Sequence, residues 1–311
     1  MRWRTFATWP QRAFLPTIAS SFVCPAGGTR TSQLWLRGVE PLVMDRIQAV
    51  LARRAERPLV IPFVTAGFPE PGATVPVVCA MGAAGADMIE IGIPFSDPLA
   101  DGPTIQAASE TALAGGMTLR GVLTVVREVR LSPEMDDVPL LLMGYCNPLL
   151  RYGLAEFVRD AADAGVDGLI VPDLPPEEAQ ELSALCQPVG LSLVFLIAPN
   201  TSRERIGTID SCSTDFSYCV SITGVTGASG AGGDSTVEFL QRVGEVASKP
   251  FVVGFGIKNA SDVKRLGPHA AGVVVGSALI DRLAVAADRV SVAVEFVGEL
   301  VAAARSCGRR D

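Results

Sequence analysis

Short apolar runs recur along the chain from residue 45 onward. Each is followed by a glycine- and proline-rich loop and then by a segment with helical apolar spacing. The runs contain few polar positions, which is typical of strands that are buried on both faces of a parallel sheet. The pattern predicts eight strands, at residues 59–65, 88–92, 140–143, 168–171, 192–197, 216–221, 251–254 and 272–275. It predicts helices near 74–84, 104–114, 118–130, 154–164, 176–187, 202–209, 235–247, 259–266 and 289–305, with an opening helix after Asp45 and a short one from Ser277.

A recurring phrase marks the junction between helix and strand. The segments 84–87 (Ala-Gly-Ala-Asp) and 164–167 (Ala-Gly-Val-Asp) each place a glycine stop just before a strand. Eight strand–helix units in roughly 265 residues fit an α/β fold, a closed (β/α)8 TIM barrel with an extra N-terminal helix and extra loop helices. An open doubly wound sheet is the alternative, but it usually has fewer strands, and no GxGxxG loop follows the first strand.

Residues 1–43 differ in composition from the rest of the chain. They contain five arginines, one acidic residue (Glu40) and all three tryptophans. This composition suits an organellar transit segment or a disordered tail. The third explanation, which we favour, is an early start codon upstream of a true start at Met44, because a helix opens directly after Met44. We therefore predict an N-terminal extension at 1–43 and a single catalytic barrel at 44–311.

Composition excludes several classes of protein. A net charge of -7 over 311 residues argues against a general nucleic-acid binder. No apolar run approaches the ~20 residues of a membrane span. We therefore expect a soluble cytoplasmic protein, or an organellar one if residues 1–43 are a transit segment. The seven cysteines form no CxxC pair, and their odd number does not suit a disulfide framework. No metal site is predicted.

Three carboxylates stand close together where the second predicted strand runs into its loop. Glu90 lies inside the apolar run, where a carboxylate is costly unless it is paired or protonated. Asp97 and Asp101 follow in a loop whose prolines and glycine cannot continue the strand. A carboxylate at a buried strand end, with others on a stiff loop, indicates proton-transfer chemistry.

Glycine-rich loops follow the seventh and eighth predicted strands. In (β/α)8 barrels such loops, together with a short helix that begins after them, form the usual phosphate site. Glycine lets backbone N–H groups approach phosphate oxygens, and a helix N-terminus favours an anion. Ser277 adds a hydroxyl, and Lys258 is near in sequence although no basic residue is required. The predicted substrate is a phosphomonoester whose reacting part lies toward Glu90.

Four segments together resemble the tryptophan synthase alpha-subunit family: residues 60–67 (VIPFVTAG), 90–104, 224–227 (GVTG) and 254–257 (GFGI). The resemblance runs in collinear order from about Asp45 to Ala303. It implies retro-aldol cleavage of indole-3-glycerol phosphate to indole and D-glyceraldehyde 3-phosphate. It also implies a beta-subunit partner in an α2β2 heterotetramer. Pyridoxal phosphate is expected in that partner, and no cofactor is expected in this chain.

The resemblance also assigns roles to individual residues. Glu90 matches the family's acid/base residue, Asp101 the carboxylate that binds the indole N–H, and Tyr218 a supporting tyrosine. Positions that wall the indole and glycerol pocket are matched by Phe63, Tyr145, Ile170, Leu196, Thr226, Phe255 and Val274. Phosphate-binding positions are matched by Gly227, Gly256, Gly276 and Ser277. The glycine-rich segment 228–233 lacks an arginine that the family commonly has, and we expect it to act as a lid.

Other residues have structural explanations beside functional ones. Asp97 is expected to cap a helix after Pro98 or to brace its loop. Asp173 is expected either to cap a helix from Pro176 or to contact the sixth loop and the partner. Cys146 is interpreted as a packing residue rather than a nucleophile, and His269 as non-catalytic.

Three other functions remain open. A stand-alone lyase that releases free indole would share every catalytic residue, and a non-catalytic regulatory subunit would not need them. A different phosphosugar enzyme on the same barrel would lack the indole walls.

Overall fold

The strands form a nearly closed barrel in the computed structural model, which describes residues 46–53, 56–220, 232–254 and 256–307. They are β1 (Leu59–Thr65), β2 (Ile89–Gly92), β3 (Leu140–Met143), β4 (Gly168–Ile170), β5 (Ser192–Val194 and Leu196–Ile197), β6 (Ser217–Val220), β7 (Phe251–Gly254) and β8 (Gly272–Val275). Neighbours in the chain pair in parallel, and β1 also pairs with β8. The predicted (β/α)8 barrel is confirmed.

Strand β5 is interrupted, whereas the sequence predicts one continuous strand over 192–197. Its first segment pairs with β4 and its second with β6. At Phe195, between them, the N–H donates to Ser213 Oγ (3.2 Å), and the carbonyl accepts from the Tyr218 N–H (3.0 Å). At this break the pairing of β5 therefore changes from β4 to β6.

The helices lie between the strands in the chain. They are α1 (Arg46–Ala52), α2 (Thr74–Ala83), α3 (Pro103–Ala114), α4 (Leu119–Val129), α5 (Cys146–Tyr152), α6 (Leu154–Ala164), α7 (Gln180–Cys186), α8 (Arg203–Cys212), α9 (Gly232–Gly244), α10 (Ala260–Leu266), α11 (Ser277–Val285) and α12 (Arg289–Arg305). Helix α5 is absent from the predicted elements because Cys146-Asn147-Pro148 has the composition of a loop. Pro148 occupies the first turn of α5, where a missing N–H breaks no intrahelical bond.

The repeated Gly-X-Asp phrase holds the helix-to-strand junctions together. Gly85 and Gly165 have positive φ (93° and 90°), which suits glycine at a helix end. Asp87 is buried, and its N–H donates to the Val60 carbonyl. Its carboxylate accepts from the Val60 N–H and receives two bonds from the Arg57 guanidinium. Asp87 thus gives a hydrogen-bond acceptor to the N–H group near the amino end of the neighbouring strand β1.

Asp167, which precedes β4, makes the same kind of contact with the amino end of β3. Its carboxylate accepts from the Leu140 N–H (2.7 Å) and from the guanidinium groups of Arg46 and Arg130. Arg46 begins helix α1, so this ion pair ties the opening helix to the barrel.

The predicted extension, residues 1–43, lies outside the described residues. Of the helices in the described part, none combines the length and apolar character needed to cross a bilayer.

Candidate active site

A cavity of about 350 Å³ lies at the carboxyl ends of the strands. In such barrels the loops after the strands meet at this end, so chemistry collects there. The lining residues are Phe63, Glu90, Asp101, Gly102, Pro103, Thr104, Ile105, Met143, Tyr218, Gly256, Ile257, Lys258, Val274, Gly276, Ser277 and Asp281. The cavity therefore brings together all three predicted catalytic residues and three of the four predicted phosphate-binding residues.

Glu90 is a buried carboxyl group at the centre of the candidate site. It lies in β2, in register with Phe63 of β1 and Leu141 of β3, and is 1% exposed. Neither carboxylate oxygen has a partner among the described residues. Burial, and then the charge of Asp101, raise the pKa of Glu90 to about 8. Such a group can both donate and accept a proton near neutral pH.

Asp101 precedes helix α3, which begins with Pro103 after the N-cap Gly102. Its backbone carbonyl accepts from the Gln106 side chain (2.8 Å). Burial raises the pKa of the Asp101 carboxyl, while a hydrogen bond from Tyr145 lowers it. Asp101 is thus a second carboxylate in the same cavity, in a more polar setting than Glu90.

Tyr218 lies in β6 and is buried. Burial, and then the charges of Glu90 and Asp101, raise the pKa of its phenol. Its ring lies against Gly254, where an added Cβ would come 2.0 Å from the Tyr218 oxygen. The absent side chain at Gly254 therefore makes room for the tyrosine beside the carboxylates.

Some of the predicted wall residues line the cavity. Phe63 and Val274 do, and the Phe63 ring packs against Gly92, where a Cβ would meet it at 2.5 Å. Met143 also lines the cavity, and the sequence analysis does not name it. Its position at the carboxyl end of β3 could have predicted it.

Three predicted wall residues are not in the lining. Tyr145, Ile170 and Leu196 are absent from it within the described chain. The Tyr145 hydroxyl instead accepts from the Ala100 N–H (3.0 Å), and its pKa is raised by burial and by Asp101. Tyr145 therefore acts on the loop that carries Asp101.

Three of the four predicted phosphate-binding residues line the cavity from the loops after β7 and β8, which are neighbouring strands. Gly256 has a φ of 80°, and Ser277 is the first residue of α11, after the N-cap Gly276. The first N–H groups of a helix have no partner within it, and the helix dipole favours an anion there. Thr226, Gly227 and Phe255 lie outside the described residues, as do residues 228–231 of the predicted lid at 228–233. The structure describes α9 from Gly232.

Two aspartates outside the cavity have specific local contacts. Asp173 Oδ1 accepts from the Cys146 N–H (2.9 Å), so it caps α5 rather than a helix from Pro176. Asp97 accepts from the Ser96 hydroxyl, and the next helix begins only at Pro103, so Asp97 caps no helix after Pro98. Within the described residues, no group of three or more potential metal ligands occurs.

Comparisons with known proteins match the chain over most of its length. A sequence model described as tryptophan synthase alpha chain matches residues 50–305. The chain belongs to the tryptophan synthase alpha chain family. Tryptophan synthase alpha chains of Roseiflexus castenholzii and Chlorobium chlorochromatii are 48% and 49% identical to it. Those alignments cover 76% and 78% of this chain and 91% and 92% of theirs.

Solved structures of tryptophan synthase share the fold. The alpha subunit from Legionella pneumophila has a TM-score of 0.77 at 35% identity and covers 85% of this chain and 99% of that one. A structure of tryptophan synthase from M. tuberculosis, an open form with BRD0059 bound, has a TM-score of 0.75 at 35% identity and covers 84% and 98%. As a member of the tryptophan synthase alpha chain family, the chain is a lyase of tryptophan biosynthesis. Its reaction cleaves indole-3-glycerol phosphate, and membership implies a beta-subunit partner.

Proposed function

We propose that Glu90 and Asp101 carry the cleavage of indole-3-glycerol phosphate into indole and D-glyceraldehyde 3-phosphate. The observation that carries the proposal is the buried carboxyl group of Glu90, which has no hydrogen-bond partner in the described chain and a pKa of about 8. It lines the same cavity as Gly276 and Ser277 at a helix N-terminus. One cavity thus offers a proton donor to one end of the substrate and an anion site to the other.

The proton transfers balance with Glu90 alone. Protonated Glu90 donates to indole C3, and positive charge develops on the ring nitrogen. The Glu90 carboxylate then removes the proton from the hydroxyl on the adjacent glycerol carbon. As the carbon–carbon bond breaks, its electrons return to the ring, and an aldehyde and free indole result. A pKa near the operating pH suits a group that must act in both directions.

Asp101 holds the other end of the reacting ring system. Its carboxylate accepts from the indole N–H and stabilises the positive charge that forms when C3 is protonated. Tyr218 supports Glu90 from β6, and Phe63 and Val274 supply the apolar wall that a flat ring needs.

The phosphate binds at Gly256, Gly276 and Ser277, with Gly227 expected to add a contact. Indole then passes to a pyridoxal-phosphate-dependent beta subunit in an α2β2 assembly in the cytoplasm, and this chain itself needs no cofactor.

Indole release from indole-3-glycerol phosphate, with and without added beta subunit, tests the proposal. We expect Glu90→Gln to lower turnover by about 10²- to 10⁴-fold, because it removes the acid/base group. The matched control is Glu110→Gln, an exposed glutamate on α3 that does not line the cavity. Undiminished cleavage in Glu90→Gln would refute the role of Glu90. A full rate without beta subunit would favour the stand-alone lyase, and no cleavage in either mixture would favour a regulatory subunit.

A further inference from the structure

The cavity presents an electrostatic difficulty to a phosphate ester. Three carboxyl groups line it, those of Glu90, Asp101 and Asp281, and Glu90 holds its proton near neutral pH because its pKa is raised to about 8. A phosphate monoester carries close to two negative charges at neutral pH. Like charges at close range oppose binding, and a cavity with apolar walls strengthens the effect. The anion site at the α11 N-terminus, which consists of neutral groups, must therefore work against the net charge of its own cavity.

Lys258 is the one basic side chain among the described residues that line this cavity. It follows Gly256 and Ile257 after β7, on the side where Gly276 and Ser277 begin α11. Because β7 and β8 are paired strands, Lys258 lies in a loop next to the one that carries Gly276 and Ser277.

The backbone at Lys258 is held in place by its neighbours. The Lys258 N–H donates to Asp262 Oδ2 (2.9 Å). The Asn259 side chain caps α10 by accepting from the N–H groups of Ser261 and Asp262. The loop is thus anchored to a helix while the lysine side chain stays exposed.

The Lys258 ammonium group is not committed to a structural role. Within the described chain, no carboxylate oxygen lies within 4.0 Å of it. Lys249 provides the contrast, because its Nζ donates to the carbonyls of Asp210 and Ser211 and so ties two segments together. Lys258 makes no comparable bond in the described part.

We propose that the Lys258 ammonium group binds the phosphate of the substrate and offsets the carboxylates of Asp101 and Asp281 in the cavity. The inference deepens the proposed function and rests on it, because it assigns the cationic contact of the same site. Lys258 touches the part of the substrate that does not react. Its contact has the same strength before and during bond cleavage, so its loss raises KM and leaves kcat unchanged.

The test is steady-state cleavage of indole-3-glycerol phosphate by the complex with beta subunit. We expect Lys258→Met to raise KM about tenfold, with kcat within twofold of the parent. Lys258→Arg keeps the charge and should hold KM within about threefold of the parent. The matched control is Lys264→Met, an exposed lysine on α10 outside the cavity. We also expect the fall of kcat/KM with added salt to be less steep in Lys258→Met than in the control.

Binding of inorganic phosphate, measured by calorimetry without turnover, separates this inference from the proposed function. We expect Lys258→Met to weaken phosphate binding about tenfold relative to Lys264→Met, whatever the cleavage activity. Loss of cleavage in the parent, with phosphate binding still dependent on Lys258, would overturn only the proposed function. Equal phosphate affinity and equal KM in the two methionine variants would overturn the role of Lys258.

Discussion

The buried carboxyl group of Glu90 makes a prediction about stability as well as catalysis. Its pKa is about 8 in the folded protein against 4.5 for an ordinary glutamate. Between these values the folded state holds a proton that the unfolded state has lost. The free energy of unfolding therefore falls as pH rises from 4.5 to 8. Glu90→Gln removes this group, so the stability of the variant should lack that part of the pH dependence.

The size of the effect follows from the two pKa values. Each pKa unit is worth about 1.4 kcal/mol, so the full penalty for ionising Glu90 in the folded protein is roughly 5 kcal/mol above pH 8. Part of it is already present at pH 5. Between pH 5 and pH 8 the variant should gain about 3 to 4 kcal/mol relative to the parent. The buried amide that Gln introduces has its own cost, but that cost is the same at both pH values.

Urea unfolding at pH 5, 6, 7 and 8 measures the difference directly. The unfolding free energies of parent and Glu90→Gln should diverge steadily over this range, whereas those of the parent and the exposed-site control Glu110→Gln should stay parallel. A constant difference between Glu90→Gln and the parent from pH 5 to pH 8 would mean that Glu90 ionises like an exposed glutamate. The acid/base assignment would then lose its physical basis.

Three further substitutions probe the surroundings of this group. Asp101→Asn should lower kcat about 10²-fold, because it removes the charge that stabilises the protonated ring. It should also shift the Glu90 limb of the pH–rate profile to lower pH, and an unmoved limb would contradict the coupling. Gly254→Ala should cost 1 to 3 kcal/mol in urea unfolding and lower kcat/KM, since its methyl group displaces Tyr218. Asp167→Asn should cost about 3 kcal/mol in urea unfolding with little change in KM, because it breaks an ion-paired cluster whose residues do not line the cavity.

The sequence predicts the strands well because their signal is local. Strands β1, β3, β7 and β8 have the predicted bounds, and each is an unbroken apolar run in the chain. The break in β5 has no such signal, because Phe195 is as apolar as its neighbours. What interrupts the strand is the Ser213 hydroxyl, which binds the Phe195 N–H from another part of the chain.

The site is predictable where a residue's role follows from its place at a strand end, and less so where it depends on a distant partner. Glu90 and Ser277 are of the first kind, and both line the cavity. Tyr145 and Asp173 are of the second. Tyr145 binds the loop before α3, and Asp173 caps α5, which begins 27 residues before it in the chain. Neither contact can be inferred from residue type, because both depend on how the loops fold over the barrel.

Asp87 and Glu90 show why position on a strand, rather than charge, decides function in this barrel. The two acids are three residues apart, and both are buried. Asp87 precedes β2 and accepts hydrogen bonds from the Val60 N–H and the Arg57 guanidinium, so its role is structural. Glu90 lies within β2, between the buried Ile89 and Ile91, and alternation of side chains along a strand directs it into the cavity. No cation among the described residues forms a salt bridge with it there. The fold therefore holds one carboxylate in an ion pair and leaves the other able to exchange its proton.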